Sequence, residues 1–260
     1  MLERPGVVRL NACIVIPFYN HPRTIAQVVK ELEPLGLPCF IVDDGSDAQA
    51  QLALAQIENN VSWVKVRRLP ENRGKGAAVM AGCDAAQVSG FTHALQIDAD
   101  GQHDAADAAR LLELAHRNPA AVISGEAIYD STVPNSRRYG RYLTHVWVWI
   151  NTLSFEIRDS MCGLRVYPLA ATCAIWQADR IGQRMDFDVE IMVRLSWKGV
   201  RIISVPTRVI YPRDGISHFR MLEDNVYISR MHTRLFFGML WRLPALLSRR
   251  IFHRGSGAVA

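Results

Sequence analysis

Leu95-Gln-Ile-Asp-Ala-Asp-Gly-Gln-His-Asp104 runs from an apolar segment directly into three carboxylates within seven residues. Aspartates repel one another and are poor strand formers, so the segment is either a solvated turn or a site awaiting positive charge. In extended backbone, residues two apart share a face. If strand geometry persists into the loop, Asp98, Asp100 and Gln102 present their oxygens in one direction, and hard oxygen ligands of this kind suit Mg²⁺ or Mn²⁺. The competing reading makes Asp100-Gly101 a turn and leaves Asp104 as the cap of the next helix.

Working outward, the same grammar recurs along the chain. Residues 12–16 (ACIVI) form a short apolar run, followed by turn formers and a helical pattern through Ile25, Val28, Val29 and Leu32. Strand CFIVD, loop DGSD and a helix come next, then strand WVKVRRL, loop PENRG and helix KGAAVMAGCDAAQV, then strand FTHALQI and a helix from Ala105. Apolar strands alternating with helices predict an α/β fold with a mostly parallel sheet covered on both faces. Ligands in such sheets bind beyond the carboxyl ends of the strands, so PFYN, DDGSD and DADGQHD are expected to converge. Beyond strand AAVISG the pattern loosens. Residues 137–157 read as a basic-aromatic helix, 159–168 as a turn and short strand, 186–197 as a helix, and VRIISVPTRVIYP as a strand.

A chain of 260 residues is long enough for a substantial core. Its five cysteines stand in no Cys-x-x-Cys or zinc-ligand pattern and read as reduced, buried thiols. The N-terminal residues do not resemble a signal peptide, and the protein is expected in the cytoplasm. The net charge is +5, yet residues 225–260 hold six arginines and no acid, which leaves a formal −1 for the rest. The basic character therefore belongs to the tail and bears on partners.

Two further segments bear on chemistry. Asp43-Asp44-Gly45-Ser46-Asp47 ends a strand, where one Asp could accept from a base or ribose while Asp47 caps a helix. Asn72-Arg73-Gly74-Lys75-Gly76 opens a helix, whose exposed N–H groups favour phosphate. It matches neither a Walker A loop nor a complete Gly-x-Gly-x-x-Gly, because Val79 stands at the third glycine position.

Taken in order, PFYN, DDGSD, NRGKG, DADGQH, DSMCGLRVY and RDGISHF resemble the family 2 glycosyltransferases of the GT-A fold, over roughly residues 12–220. Within that family the chain is similar to the dolichyl-phosphate mannosyltransferase and polyprenyl-phosphate glycosyltransferase branch. The resemblance implies that Pro17, Tyr19, Asn20 and Asp44 hold the nucleoside, and that Asp98, Asp100 and Gln102 bind a divalent ion, Mg²⁺ or Mn²⁺, bridging the sugar-nucleotide diphosphate. A metal would stabilise the departing diphosphate as a Lewis acid. Lys75 is either a further positive charge there or a solvated lysine at a helix start.

In the resembling branch a lipid phosphate attacks the anomeric carbon, and an anionic nucleophile needs arginines rather than a base. Arg138, Arg141, Arg165, Arg213 and His218 are the candidates for acceptor contact. Three positions depart from the branch: His21 stands where Glu is usual, Glu126 where an arginine is usual, and His218 where a lysine is usual. Asp188-Val-Glu-Ile-Met-Val-Arg194 meanwhile resembles the Glu-Asp-x-Asp-Leu-x-x-Arg pattern of members that glycosylate hydroxyls, with Phe187 in place of the Glu. There the residue matching Asp188 is the general base. The plain alternative is that Asp186 and Asp188 sit at a helix start, stabilised by its dipole.

Residues 226–252 alternate apolar clusters with arginine, contain no bilayer-spanning stretch and include Pro244, which would kink a helix. Such a segment lies in a membrane interface or packs on the domain. The expected organisation is a glycosyltransferase domain over 1–224 and a basic amphipathic extension over 225–260. The expected function is metal-dependent, inverting transfer from a nucleotide-diphosphate sugar to a lipid-linked acceptor at the cytoplasmic membrane face, with the tail on the membrane surface and no nucleic-acid partner. The rivals are transfer to a hydroxyl with Asp188 as base, and a non-catalytic nucleotide-sugar binder.

Overall fold

The apolar runs form strands because both of their faces are covered. In the computed structural model, which describes residues 10–128, 135–209 and 221–255, every residue of β1 (Ala12–Phe18) and β2 (Cys39–Asp43) is buried. Alternate side chains of β1 serve opposite faces: Cys13 and Val15 join one core cluster, and Ile14, Ile16 and Phe18 the other. The second cluster is closed by α1 (Ile25–Leu32), α2 (Ala48–Asn60) and α4 (Ala105–Arg117). The first is closed by α3 (Lys75–Val88), α5 (Asn135–Thr152), α6 (Leu169–Ala178), α7 (Phe187–Trp197) and α8 (Met221–Gly255).

The seven strands are ordered β3-β2-β1-β4-β6-β5-β7, adding β3 (Val64–Arg68), β4 (His93–Gln96), β5 (Val122–Ile128), β6 (Arg165–Pro168) and β7 (Ile202–Arg208). Only β6 runs against its neighbours, pairing antiparallel with β4 and β5 in the register Gln96↔Arg165 and Ser124↔Arg165. The start of β6 therefore lies at the edge where the parallel strands end, and the loop before it joins the strand-end loops there.

Several boundaries differ from the sequence reading. The strands expected to be uniformly apolar are so only in the middle of the sheet; β3 and β7 are edge strands with exposed residues. Pro206 is tolerated in β7 because an edge strand need not donate on its outer side. The strand expected through Ile97 stops at Gln96. The helix read over 137–157 is Asn135–Thr152, and the last strand, read through Pro212, is described to Arg208. The C-terminal extension is helical: α8 starts at Met221, runs through Pro244, and buries Met231, Leu235, Met239 and Leu246 against α5 and α7. Pro244 lies on the exposed side of α8, where solvent can reach the carbonyl it leaves unpaired. The five cysteines are all free and buried.

Candidate active site

The loops at the carboxyl ends of the strands are joined one to the next by hydrogen bonds. After β1, Asn20 takes a positive φ of 52°, donates its N–H to Ser46 Oγ at 3.1 Å and accepts from Asp47 N–H at 2.9 Å. Pro17 is buried within β1, and Tyr19 is half-buried beside Asn20. After β2, the Asp44 carboxylate accepts the N–H groups of Arg73 and Gly74, both at 2.8 Å. Burial holds this carboxyl above its usual range even though those two donors favour the charged form. Gly74 has φ +102°, and a Cβ there would strike Gln183 and Arg184, so the approach of this loop to the segment before α7 requires glycine.

Lys75, the first residue of α3, closes the circuit. Its Nζ lies 2.8 Å from Asp98 and 2.9 Å from Asp188. Burial disfavours its charge, but the two carboxylates outweigh that and raise its pKa above the ordinary lysine value. Of the two readings left open for Lys75, the solvated surface lysine is excluded. Asp188 Oδ1 meets Arg165 at 3.2 Å, and the Arg165 guanidinium also donates to Tyr167 Oη at 3.0 Å, Asp188 O at 3.0 Å and Ser160 O at 2.6 Å. Arg165 is 0% exposed, which corrects its reading as an acceptor contact: it supports Asp188 from below.

The DADGQHD loop does not prolong the strand. Ala99 and Asp100 form a turn, Gly101 takes φ +73°, and Asp100 Oδ1 accepts the Gln102 N–H at 3.1 Å. The expectation of one extended face bearing Asp98, Asp100 and Gln102 therefore gives way to a turn that places Asp98 and Asp100 together. Asp100 is pushed up to about 6, by burial first and then by the Asp98 charge. Asp98 is also penalised by burial, but Lys75 and other nearby cations bring it below its usual range. Its Oδ1 is buried without a hydrogen-bond partner. Asp104 caps α4 through Ala106 N–H and Asp47 caps α2 through Ala50 N–H.

On the acceptor side, Arg141 of α5 is held by Asp159 at 2.8 Å, and Asp159 also accepts from Met161 N–H and Ala127 N–H. Glu126, which departs from the branch pattern, faces Arg158 at 3.7 Å, so a positive charge returns there from a residue distant in sequence. Asp159 and Arg158 were not singled out as site residues in the sequence, although Asp159 opens DSMCGLRVY and Arg158 directly precedes it. The side chain of Arg138, and both Arg213 and His218, lie outside the described residues.

The arrangement has a charge consequence. Asp98, Asp100 and Asp188 face only Lys75 and Arg165 within this network, so with all three ionised the cluster is short of positive charge. No group of three His, Cys, Asp or Glu among the described residues could by itself hold a metal. A pair of carboxylates, one with an unpartnered buried oxygen, does fit a divalent ion that completes its shell with substrate phosphates.

The chain is similar to known proteins over two thirds or more of its length. The chain is 29% identical over 202 residues to a dolichyl-phosphate beta-glucosyltransferase of Dictyostelium discoideum, covering 69% of this chain and 60% of that protein's length. It is 24% identical over 240 residues to a polyprenol monophosphomannose synthase of Mycolicibacterium smegmatis, covering 86% of each. A crystal structure of glucosyl-3-phosphoglycerate synthase from Mycobacterium tuberculosis, in complex with Mn²⁺ and uridine-diphosphate-glucose, superposes with a TM-score of 0.65 at 14% identity, covering 91% of this chain and 84% of that one. That likeness establishes the GT-A type of α/β fold. The glycosyl transferase family 2 model matches residues 13–178, and the chain belongs to that family of glycosyltransferases.

Proposed function

We propose that the protein transfers a sugar from a nucleotide-diphosphate sugar to a polyprenyl phosphate, with inversion, using a divalent ion, at the cytoplasmic face of the membrane. The observation that carries the choice of acceptor is the double engagement of Asp188. One oxygen meets Lys75 and the other Arg165, so both are already engaged by cations rather than turned to an acceptor hydroxyl. A lipid phosphate needs no such base, because its attacking oxygen is already anionic. That oxygen bonds to the anomeric carbon as the bond from this carbon to the diphosphate breaks, and the electron pair leaves with the diphosphate. Attack from the face opposite the leaving group inverts the configuration.

The named relatives support this reading, since two of them carry dolichyl phosphate or polyprenol in their names. Of the cations in the network, Lys75 reaches the cleft, with 19% of its side chain exposed, whereas Arg165 has none. Lys75 is thus placed to face the donor diphosphate while Asp98 and Asp188 hold it. A divalent ion at Asp98 and Asp100 would supply Lewis-acid stabilisation of the diphosphate as it departs. Asn20, Asp44 and the Asn72–Gly74 loop would bind and orient the nucleoside end.

The test is transfer from a panel of nucleotide-diphosphate sugars to a short-chain polyprenyl phosphate in the presence of Mn²⁺. Asp100→Asn is expected to lower kcat at least about 100-fold, the scale of losing a main electrostatic stabiliser. No transfer from any donor in the panel would refute the proposal. Hydroxyl acceptors used in place of the phosphate, with a pH–rate profile that loses its acidic limb in Asp188→Asn, would replace it by the base-assisted reading.

A further inference from the structure

Strand β4 leads straight into the carboxylates, and its last residue breaks the pattern of the face it lies on. Side chains of β4 alternate, with Ala94 in the first core cluster and Leu95 in the second, so Gln96 points to the same side as Ala94. Its register partners are Val15 of β1 and Arg165 of β6. Helix α3 seals this face closely, since a Cβ at Gly82 would lie 2.5 Å from Val15 Cγ1. Gln96 is 0% exposed, and neither its amide oxygen nor its amide nitrogen has a hydrogen-bond partner in the protein. Leucine or methionine would fill the same space without that cost. An unpaired buried amide is unfavourable and calls for a reason, and a local rule broken in this way is expected where function demands it.

Arg165 supplies the complement. Its Nη1 and Nη2 donate to Tyr167, Asp188 and the Ser160 carbonyl, while its Nε–H donates to no protein group. Residues paired directly across antiparallel strands stand on one face with Cβ atoms about 5 Å apart. Gln96 Oε1 and Arg165 Nε–H are therefore an acceptor and a donor on neighbouring side chains that are not bonded to each other. Ser160 Oγ, on the residue whose carbonyl takes Arg165 Nη2, is buried and unpartnered as well. The glutamine amide adds two donors, and the serine hydroxyl can donate or accept.

We propose that the Gln96 amide, Arg165 Nε–H and Ser160 Oγ together bind one ordered water inside the sheet, and that Gln96 is thereby a positioning residue for the donor site. A buried water takes about two to four polar partners, which this set provides, and it joins groups that do not reach each other directly. The bridge fixes the plane of the Arg165 guanidinium. Arg165 holds Asp188, and Asp188 holds Lys75 at the cleft. Gln96 thus acts on donor binding through three other side chains, from a place no ligand touches. The consequence for binding rests on the donor reading above; the water site does not.

The experiment is nuclear magnetic resonance of the full chain labelled with ¹⁵N at arginine, paired with calorimetric binding of nucleoside diphosphates in Mn²⁺. In the wild type, Arg165 Nε–H is expected to show cross-relaxation to a water of long residence. Gln96→Leu and Gln96→Met should both lose that signal and shift the Arg165 Nε resonance. Both should also weaken binding of the nucleotide that the wild type prefers by about tenfold, the scale of losing a residue that orients a binding group. Methionine is unbranched and close to glutamine in size, so it preserves packing while removing the hydrogen bonds. Wild-type affinity in Gln96→Met would show that only the shape of the side chain matters and would overturn the positioning role. An Arg165 Nε–H without a water contact in the wild type overturns the site itself, whether or not either variant folds. If the wild type binds no nucleoside diphosphate, the donor reading fails, and the Arg165 signal still decides the water site.

Discussion

Lys75 stands between two carboxylates that lie far apart in the chain, Asp98 and Asp188, and Arg165 holds the second from the opposite side. Such a buried network is satisfied only as a unit. Arg165→Met leaves Asp188, Ser160 O and Tyr167 Oη without their shared donor, and the expected cost is about 3–5 kcal/mol in urea unfolding. Arg165→Lys should not restore it, because an ammonium cannot span the same acceptors as a planar fork. A variant within about 1 kcal/mol of wild type would show that the guanidinium is dispensable. His232 gives a pH signature. Buried without a hydrogen-bond partner for either ring nitrogen, it has a pKa lowered to about 4 against an ordinary 6.5. The folded state resists taking the proton, so this contribution to stability is complete above about pH 6.5 and is lost as pH falls toward 4, amounting to roughly 3 kcal/mol. His232→Leu should flatten the stability profile across that window; an unchanged acid limb would place the titration elsewhere.

Among the elements, the reversed strand β6 and the long helix α8 set the geometry around the site. Because β6 runs antiparallel, Arg165 at its start lies beside Gln96 at the end of β4, and the preceding loop packs Gly163 under Asp98. A Cβ at Gly163 would fall on the Asp98 carboxylate, so that loop seats the acid. Helix α7 connects the site to α8: Asp188 faces Lys75, and two residues on, fully buried Glu190 accepts from Arg194 at 2.7 Å, from Gly182 N–H at 2.8 Å and from Arg234 of α8. Glu190→Ala removes the carboxylate these donors share. The expected result is a destabilisation of about 3–5 kcal/mol, with faster amide hydrogen exchange in the part of α8 around Arg234 than in β1 or β2. Uniform acceleration across the sheet would mean that the bond does not act locally.

At the scale of the whole molecule, the surplus of carboxylates over cations in the cluster of Asp98, Asp100 and Asp188 makes donor binding conditional. A nucleoside diphosphate added alone meets Asp98, Asp100 and Asp188 as like charges, and its effect on Tm should be small. With Mn²⁺ present, the nucleotide of the correct base should stabilise the fold by about 2.7 kcal/mol when supplied at a hundred times its Kd, and EDTA should abolish the shift. Asp100→Asn should lose the metal-dependent part. An equal shift with and without metal would contradict the charge argument.

The alternation of apolar runs and helices, and the polar residues that end those runs, were sufficient to specify a covered, mostly parallel sheet and the edge at which Asn20, Asp44, Asp98 and Asp100 gather, while Lys75 was left open between that edge and solvent. Those properties are written locally, in periodicity and in the chemistry of strand ends. The caps at Asp47 and Asp104 were legible for the same reason. The direction of β6, the burial of Arg165, the pairing of Asp188 with two cations and the salt bridge from Arg158 to Glu126 were not legible. Each depends on which residues distant in the chain become neighbours and on how much water is left between them. DADGQHD shows the division within a single segment. The sequence determined that carboxylates would stand at the end of a buried strand. Only the folded chain decided that a turn, rather than an extended face, brings Asp98 and Asp100 together, because the packing of Gly163 against Asp98 forms only once the strands are in place.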